Sequence, residues 1–186
     1  MLNRFSNYFI KRASWKVILF FVIVFILFNV LLFPYVMNRF GLQGQPMLDF
    51  LFGFTPDQAY SMISGYGEEG RAGVLWISGL VDMLYPFVFG GLLVFLISQL
   101  SLEVLAENSK WRTLNLVPII AIFGDYHENL GIIIMTSLYP KRLDQFAVLS
   151  SVSGMIKWMF VAISIVVAFV LLFQKISRNS SKKKYN

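Results

Sequence analysis

A chain of 186 residues has room for one compact domain, and a composition of 57% hydrophobic against 14% charged residues, with a mean hydropathy of +0.67, excludes an ordinary soluble one. The absence of cysteine excludes disulfides, thiolate metal sites and thiol nucleophiles. The formal charge of +6 raises nucleic acid as a partner, but the basic residues flank apolar stretches and form no patch interleaved with aromatics. The partner these residues imply is the lipid bilayer, and no nucleic acid is expected.

A helix needs about 20 apolar residues to cross the hydrocarbon core. Four stretches reach that length, at residues 17–37, 72–99, 114–138 and 146–174. The first carries Asn29 as its one strongly polar interruption. It is too long for a signal-peptide core and lacks a small-residue cleavage site, so it reads as a retained helix. The predicted fold is an all-α membrane protein, a single antiparallel four-helix transmembrane bundle over residues 1–186. It has an outer loop at 38–71 and a basic cytoplasmic tail at 175–186.

Within the outer loop, Thr55-Pro56-Asp57 has the form of a helix start, with Thr as cap and Pro at the first helical position, and Gly65 and Gly67 end the segment. This predicts a short outer interfacial helix, with Met47, Leu48, Phe50, Leu51, Phe52 and Phe54 dipping into the membrane interface. The loop around Glu103, Glu107 and Lys110 is short and mixed in charge. Tyr139-Pro140-Lys141-Arg142 makes a tight turn between the third and fourth spans. No internal repeat is present.

Lys and Arg favour the cytoplasmic flanks of a span. Arg4, Lys11, Arg12 and Lys16 precede the first span, Lys110 and Arg112 separate the second from the third, and Lys175, Arg178 and Lys182 to Lys184 follow the fourth. Fewer lie opposite, at Arg39, Arg71, Lys141 and Arg142. The expectation is a multi-pass protein of the plasma (inner) membrane with both termini cytoplasmic. The Lys182–Lys184 run suits anionic lipid as well as it suits the orientation rule.

Charged residues at mid-bilayer cost at least ~2.5 kcal/mol each on insertion scales, so each calls for a partner or a purpose. The second span holds Asp82 with Tyr85, the third Asp125, Glu128 and Asn129, the fourth Lys157 and the first Asn29. At a rise of ~1.5 Å per residue these fall in one slab, on the order of 12 to 20 Å below the outer boundary. Their faces agree too. Asp125, Glu128 and Asn129 stand at i, i+3 and i+4, Asp82 and Tyr85 at i and i+3, and Ser150, Ser153, Gly154 and Lys157 at i, i+3, i+4 and i+7. Small residues on that last stripe allow close helix approach. His127 points away from this face, which argues against an Asp-x-His-Glu metal site. Pro86 removes the hydrogen bond that the carbonyl of residue 82 would accept, leaving that group available.

Three carboxylates and one ammonium leave a net negative charge, to be balanced by protons or a cation. The functional reading is a binding or proton- or ion-responsive site for a small polar or lipid ligand. A structural or partner-binding subunit whose polar cluster only fixes helix packing is the alternative, and an intramembrane lipid-modifying enzyme is a second. No His-Glu-x-x-His spacing and no Ser-centred nucleophile motif is present, so no catalytic residue, metal site or cofactor is assigned. At the membrane boundary Glu68, Glu69 and Arg71 form a second candidate group, in which Arg71 is available to pair with Glu68 or to clamp a phosphate or carboxylate. A solvated ion pair at a loop-to-helix junction explains it equally well. Four spans are a small framework for a complete transporter, which leaves room for a homo-oligomer or a membrane partner.

Gly67-Glu68-Glu69-Gly70-Arg71, then Asp82 with Tyr85-Pro86, then Asp125-x-x-Glu128-Asn129 resemble a pattern in uncharacterised bacterial four-helix membrane proteins. The resemblance covers about half the chain. It implies a membrane address and an architecture, and no activity.

Overall fold

A computed structural model describes the main chain of residues 2–184 and the side chains of residues 2–180, so the side chains of Lys182 to Lys184 lie outside the described residues. Among these residues the chain is helices and connections, without a strand, and four helices are long and apolar enough to cross a membrane. The protein is an all-α membrane bundle.

A short helix, α1 (Leu2–Ile10), precedes the first span and has no counterpart in the sequence expectations. Its Ser6 hydroxyl donates to the Arg112 carbonyl (3.2 Å), the Asn115 amide donates back to the Ser6 carbonyl (3.2 Å), and Phe9 meets Phe95 edge-on at 5.9 Å. The first span, α2 (Trp15–Arg39), starts at Ser14, whose side chain accepts from the Val17 amide and satisfies one of the free N–H groups of the first turn.

The first connection carries α3 (Pro56–Gly65), where Thr55-Pro56 predicts it. The Gln58 amide donates to Thr55 Oγ1 (3.2 Å) and the Thr55 amide donates to Gln58 Oε1 (2.9 Å), a reciprocal capping box. Gly67 sits at φ +67, a left-handed turn that glycine adopts without a Cβ penalty, and the chain enters α4 (Gly67–Val104) there. The second spanning helix thus begins at Gly67 and not at residue 72, and Glu68, Glu69 and Arg71 belong to its first turns. A 3₁₀ segment (Lys110–Leu116) leads into α5 (Val117–Ser137), and α6 (Asp144–Lys184) completes the bundle.

The residues expected to dip into the interface divide into two sets. Met47, Leu48 and Phe54 are buried in a core with Leu42, Tyr60, Ile63, Ile77 and Met135, whereas Phe50 and Phe52 remain exposed. The loop folds down into the bundle instead of lying across it. Backbone hydrogen bonding explains why: the Phe54 amide donates to Ser151 Oγ (2.8 Å) and the Tyr66 hydroxyl to the Pro46 carbonyl (2.9 Å), so the loop meets its polar demands inside the protein.

The tightest helix pair is α5 with α6. A Cβ at Gly124 would lie 3.0 Å from the Lys157 amide nitrogen and the Ser153 carbonyl, and one at Gly131 would lie 2.8 Å from Ser150 Cβ. Small residues on both faces bring the backbones together, as expected where van der Waals packing rather than water exclusion drives association. By contrast α2 packs chiefly along α4 and is the least buried of the four spans.

Each of these two helices carries one π-turn, Phe28–Leu32 and Ile77–Val81. In them the Phe33 amide reaches the Phe28 carbonyl and the Asp82 amide the Ile77 carbonyl, and Pro34 and Pro86 follow shortly after. A wide turn beside a proline bends a helix and frees backbone groups. At the end of the bundle that carries both chain termini, Glu103 accepts from Trp15 Nε1 (3.1 Å) and pairs with Lys175 Nζ (2.8 Å), tying α2, α4 and α6 together.

Candidate functional site: a buried carboxylate–lysine cluster

The close seam between α5 and α6 sets the centre of the site. Gly154 leaves the space that the Glu128 carboxylate fills, and the Ser150 hydroxyl donates to the Glu128 carbonyl (2.7 Å), locking the register of the two helices. One helical turn beyond Gly154, Lys157 extends across to α5. Its ammonium lies 2.5 Å from Glu128 Oε2 and 3.4 Å from Asp125 Oδ1, and donates to the Asp49 carbonyl at 2.9 Å. Those three contacts match the three N–H donors of an ammonium group. Asn129, one turn from Asp125 on α5, donates to Asp125 Oδ1 (3.1 Å).

The sequence-predicted intramembrane residues are therefore brought together. Asp82 completes the group from α4. It is 3% exposed, and its Oδ2 has no hydrogen-bond partner among the described residues. Buried carboxylate oxygens are almost always paired, so an orphan at this depth calls for a ligand, a proton or water. Asn29 and Tyr85 stand at the edge, where the Asn29 amide donates to the Tyr85 hydroxyl (3.1 Å) and to the Phe25 carbonyl (2.8 Å), linking α2 to α4 beside the two π-turns. The Tyr85 ring is enclosed by Phe25, Phe28, Phe33 and Phe89, with centroids 5.0 to 5.9 Å away.

Asp49 is the member that sequence reasoning missed. It sits on the inward-folded loop, 9% exposed, and burial pushes its carboxyl above the ordinary value while the nearby Lys157 charge acts in the opposite direction. The signal was present as a lone acid inside the apolar run from Met47 to Phe54, but nothing local told that the loop would turn inward. With Asp49 the cluster holds four carboxylates and one ammonium.

These groups border a cavity of about 320 Å³ between α2, α4 and α6, roofed by Asp49 and Phe50. Asp82, Asp125 and Lys157 reach its wall, Phe25, Phe33, Tyr85, Phe89 and Trp158 supply aromatic surface, and Leu92, Leu93, Val161 and Ile165 make the far side apolar. Trp158 Nε1 is a further polar atom without a hydrogen-bond partner among the described residues. A second cavity of about 350 Å³, with wholly apolar walls, shares Leu93 and Ile165 with the first and runs past Leu100 and Phe169 to Leu172 and Trp15. Ile165 and Phe169 are exposed on the lipid-facing surface. The two cavities lie side by side along α2, the least buried span, with the polar residues lining the first and apolar residues the second.

His127 lies outside the cluster, exposed, with Nδ1 donating to the Phe123 carbonyl (2.7 Å). No three His, Asp or Glu side chains among the described residues are grouped so as to hold a metal ion. The second candidate group does not assemble as expected. Arg71 stacks over the Tyr139 ring at 4.5 Å, and Glu69 stands 3.6 Å from Arg39 with both side chains exposed. These are surface contacts of small energetic weight.

Comparison with protein-family models, with curated proteins and with solved structures finds no match to this chain. What fold and site define is a class, a helical membrane bundle with a buried Asp/Glu/Lys cluster.

Proposed function

We propose that this chain is a lipid-binding protein of the plasma (inner) membrane, with both termini cytoplasmic and the bacterial four-helix architecture that its motifs resemble. It takes the polar head of an amphiphile into the cavity beside Asp82, Asp125 and Lys157 and the tail into the groove between α2, α4 and α6. The observation that carries this reading is the adjacency of the two cavities: Asp82, whose Oδ2 has no hydrogen-bond partner among the described residues, lines a space that shares Leu93 and Ile165 with a wholly apolar one, and Ile165 is exposed on the outer surface. Ligand sites combine predominantly apolar walls with a few convergent polar groups, and intramembrane ionisable residues mark such sites. A cluster serving only helix packing has no need of a carboxylate oxygen left without a hydrogen-bond partner beside a cavity.

The absence of cysteine makes the test direct. Single cysteines at Leu93 and Ile165 in the groove, and at Leu130 and Val152 on other lipid-facing surfaces, carry a photoreactive label in nanodiscs containing tail-deuterated lipid. Crosslinks concentrated at Leu93 and Ile165, persisting through washing with unlabelled lipid, are expected. Equal and equally exchangeable labelling at all four positions would overturn the reading. Labelling of Lys11 and Arg178 positions with a membrane-impermeant thiol reagent after conversion to cysteine should occur only from the cytoplasmic side.

A further inference from the structure

Resting on that reading, the charge and lining of the cavity narrow the class of head group. Lys157 spends its ammonium on Glu128, Asp125 and the Asp49 carbonyl, so its positive charge is already shared among protein oxygens. The carboxylates of Asp49 and Asp82 have no cation within 4.0 Å among the described residues, yet both residues line the cavity. The other polar lining residues, Tyr85 and Trp158, are neutral and leave the balance negative.

The remaining lining distinguishes between kinds of cation. A hard metal ion wants six or more oxygen ligands, or near-ideal octahedral geometry. Here the acidic side chains are spread around the wall and do not converge on one point. Six aromatic rings, those of Phe25, Phe33, Phe50, Tyr85, Phe89 and Trp158, face the same space. Aromatic faces attract cations through their quadrupole and are the usual surroundings of weakly hydrated organic ammonium groups. The apolar groove leading away past Leu93 and Ile165 runs beside α6 from Lys157 to Leu172, about 22 Å at the helical rise, a length that suits one long alkyl chain.

We infer that the ligand is an ammonium amphiphile, its cationic nitrogen held between the Asp49 and Asp82 carboxylates and the aromatic rings and its single chain laid in the groove between α2, α4 and α6. Binding of this kind is a charge recognition in a dry pocket with an apolar anchor. The head supplies selectivity and the tail supplies most of the buried area.

The test is a competition read by native mass spectrometry of the full-length protein released from non-ionic detergent. Four probes share either the chain or the head: hexadecyltrimethylammonium, hexadecyl sulfate, hexadecanol and tetramethylammonium. The expected order is the cationic amphiphile above the neutral alcohol by about tenfold or more, the sulfate weakest of the long-chain probes, and tetramethylammonium unable to displace any of them. In Asp82→Asn, and separately in Asp49→Asn, that preference for cation over alcohol should collapse while hexadecanol binding stays. Either variant suffices if the other fails to fold, and thermal unfolding of each reports which to read. Equal binding of cation and alcohol, tighter binding of the sulfate, or a cation preference untouched in both variants would each overturn the inference while leaving the lipid groove standing. Failure of every long-chain probe to bind would instead bring down the groove reading itself.

Discussion

Lys157 Nζ stands 2.5 Å from Glu128 Oε2 across the α5–α6 seam, with Glu128 fully buried and Lys157 6% exposed. Removing one member of a buried pair strands the other, at a cost of about 3 to 5 kcal/mol, whereas removing both charges together is often neutral. Lys157→Met should therefore lower stability in detergent by roughly that amount, and Lys157→Met with Glu128→Gln should recover most of it. Thermal or denaturant unfolding of the two variants checks this. A double variant as unstable as the single one would show that Lys157 matters through Asp125 and Asp49 more than through Glu128.

Gly154 gives the cluster its depth. An added Cβ there collides with the Glu128 carboxyl group, which Lys157 holds by its ion pair while Ser150 pins the Glu128 main-chain carbonyl. Overpacking a tight interior costs about 1 to 3 kcal/mol. Gly154→Ala should lie in that range, and Gly65→Ala, where an added Cβ meets nothing within 4 Å, well below it. Comparing the two unfolding midpoints separates packing at the seam from the general effect of replacing a helical glycine.

The four spans were legible because hydrophobic length is a property of the sequence itself, and the cluster was legible because Asp82, Asp125, Glu128 and Lys157 match in both depth and face. Both signals are periodic, and helices preserve periodicity. Asp49 was not legible, because its place depends on the 40–55 loop folding into the bundle, a tertiary event set by Ser151 far along the chain together with Tyr66 at the end of the same connection. The π-turns at Phe28–Leu32 and Ile77–Val81 have no pattern of their own, although Pro34 and Pro86 hint at the bends. Pairing of Arg71 with Glu68 was one reading the sequence allowed, and the structure instead stacks Arg71 over the Tyr139 ring of another connection.

Stability should also depend on pH through Asp49. Burial raises its carboxyl above the ordinary 3.8, so between 3.8 and that raised value the ligand-free folded chain keeps a proton there that the unfolded chain has released. This contribution is complete below 3.8 and is lost as pH rises through the raised folded value. Unfolding followed from about pH 4 to pH 8 should show stability declining with pH, and Asp49→Asn should flatten that slope. Asp82, Asp125 and Lys157 line the same cavity, Glu128 pairs with Lys157, and Tyr66 feels the Asp49 charge, so the difference between the wild-type and Asp49→Asn slopes is the quantity to read. Identical slopes would place Asp49 outside the titrating group.

Tyr85 joins the least anchored helix to the rest and walls the cavity, and its ring and its hydroxyl make separable contributions. The ring contacts Phe25, Phe28 and Phe33 of α2 as well as Phe89 of its own helix, while among the described residues the hydroxyl hydrogen-bonds only with Asn29. A net hydrogen bond is worth about 1 kcal/mol, and loss of a large aromatic from a packed site about 3 to 5 kcal/mol. Tyr85→Phe should therefore unfold within about 1 kcal/mol of the wild type, and Tyr85→Ala several kcal/mol lower. The same pair reads out the motion of α2. Spin labels at Leu31 on α2 and Val152 on α6 should report an unchanged distance in Tyr85→Phe and a longer, broader distribution in Tyr85→Ala. If the phenylalanine variant alone released α2, the Asn29 hydrogen bond and not the aromatic stack would be what holds the cavity closed on that side.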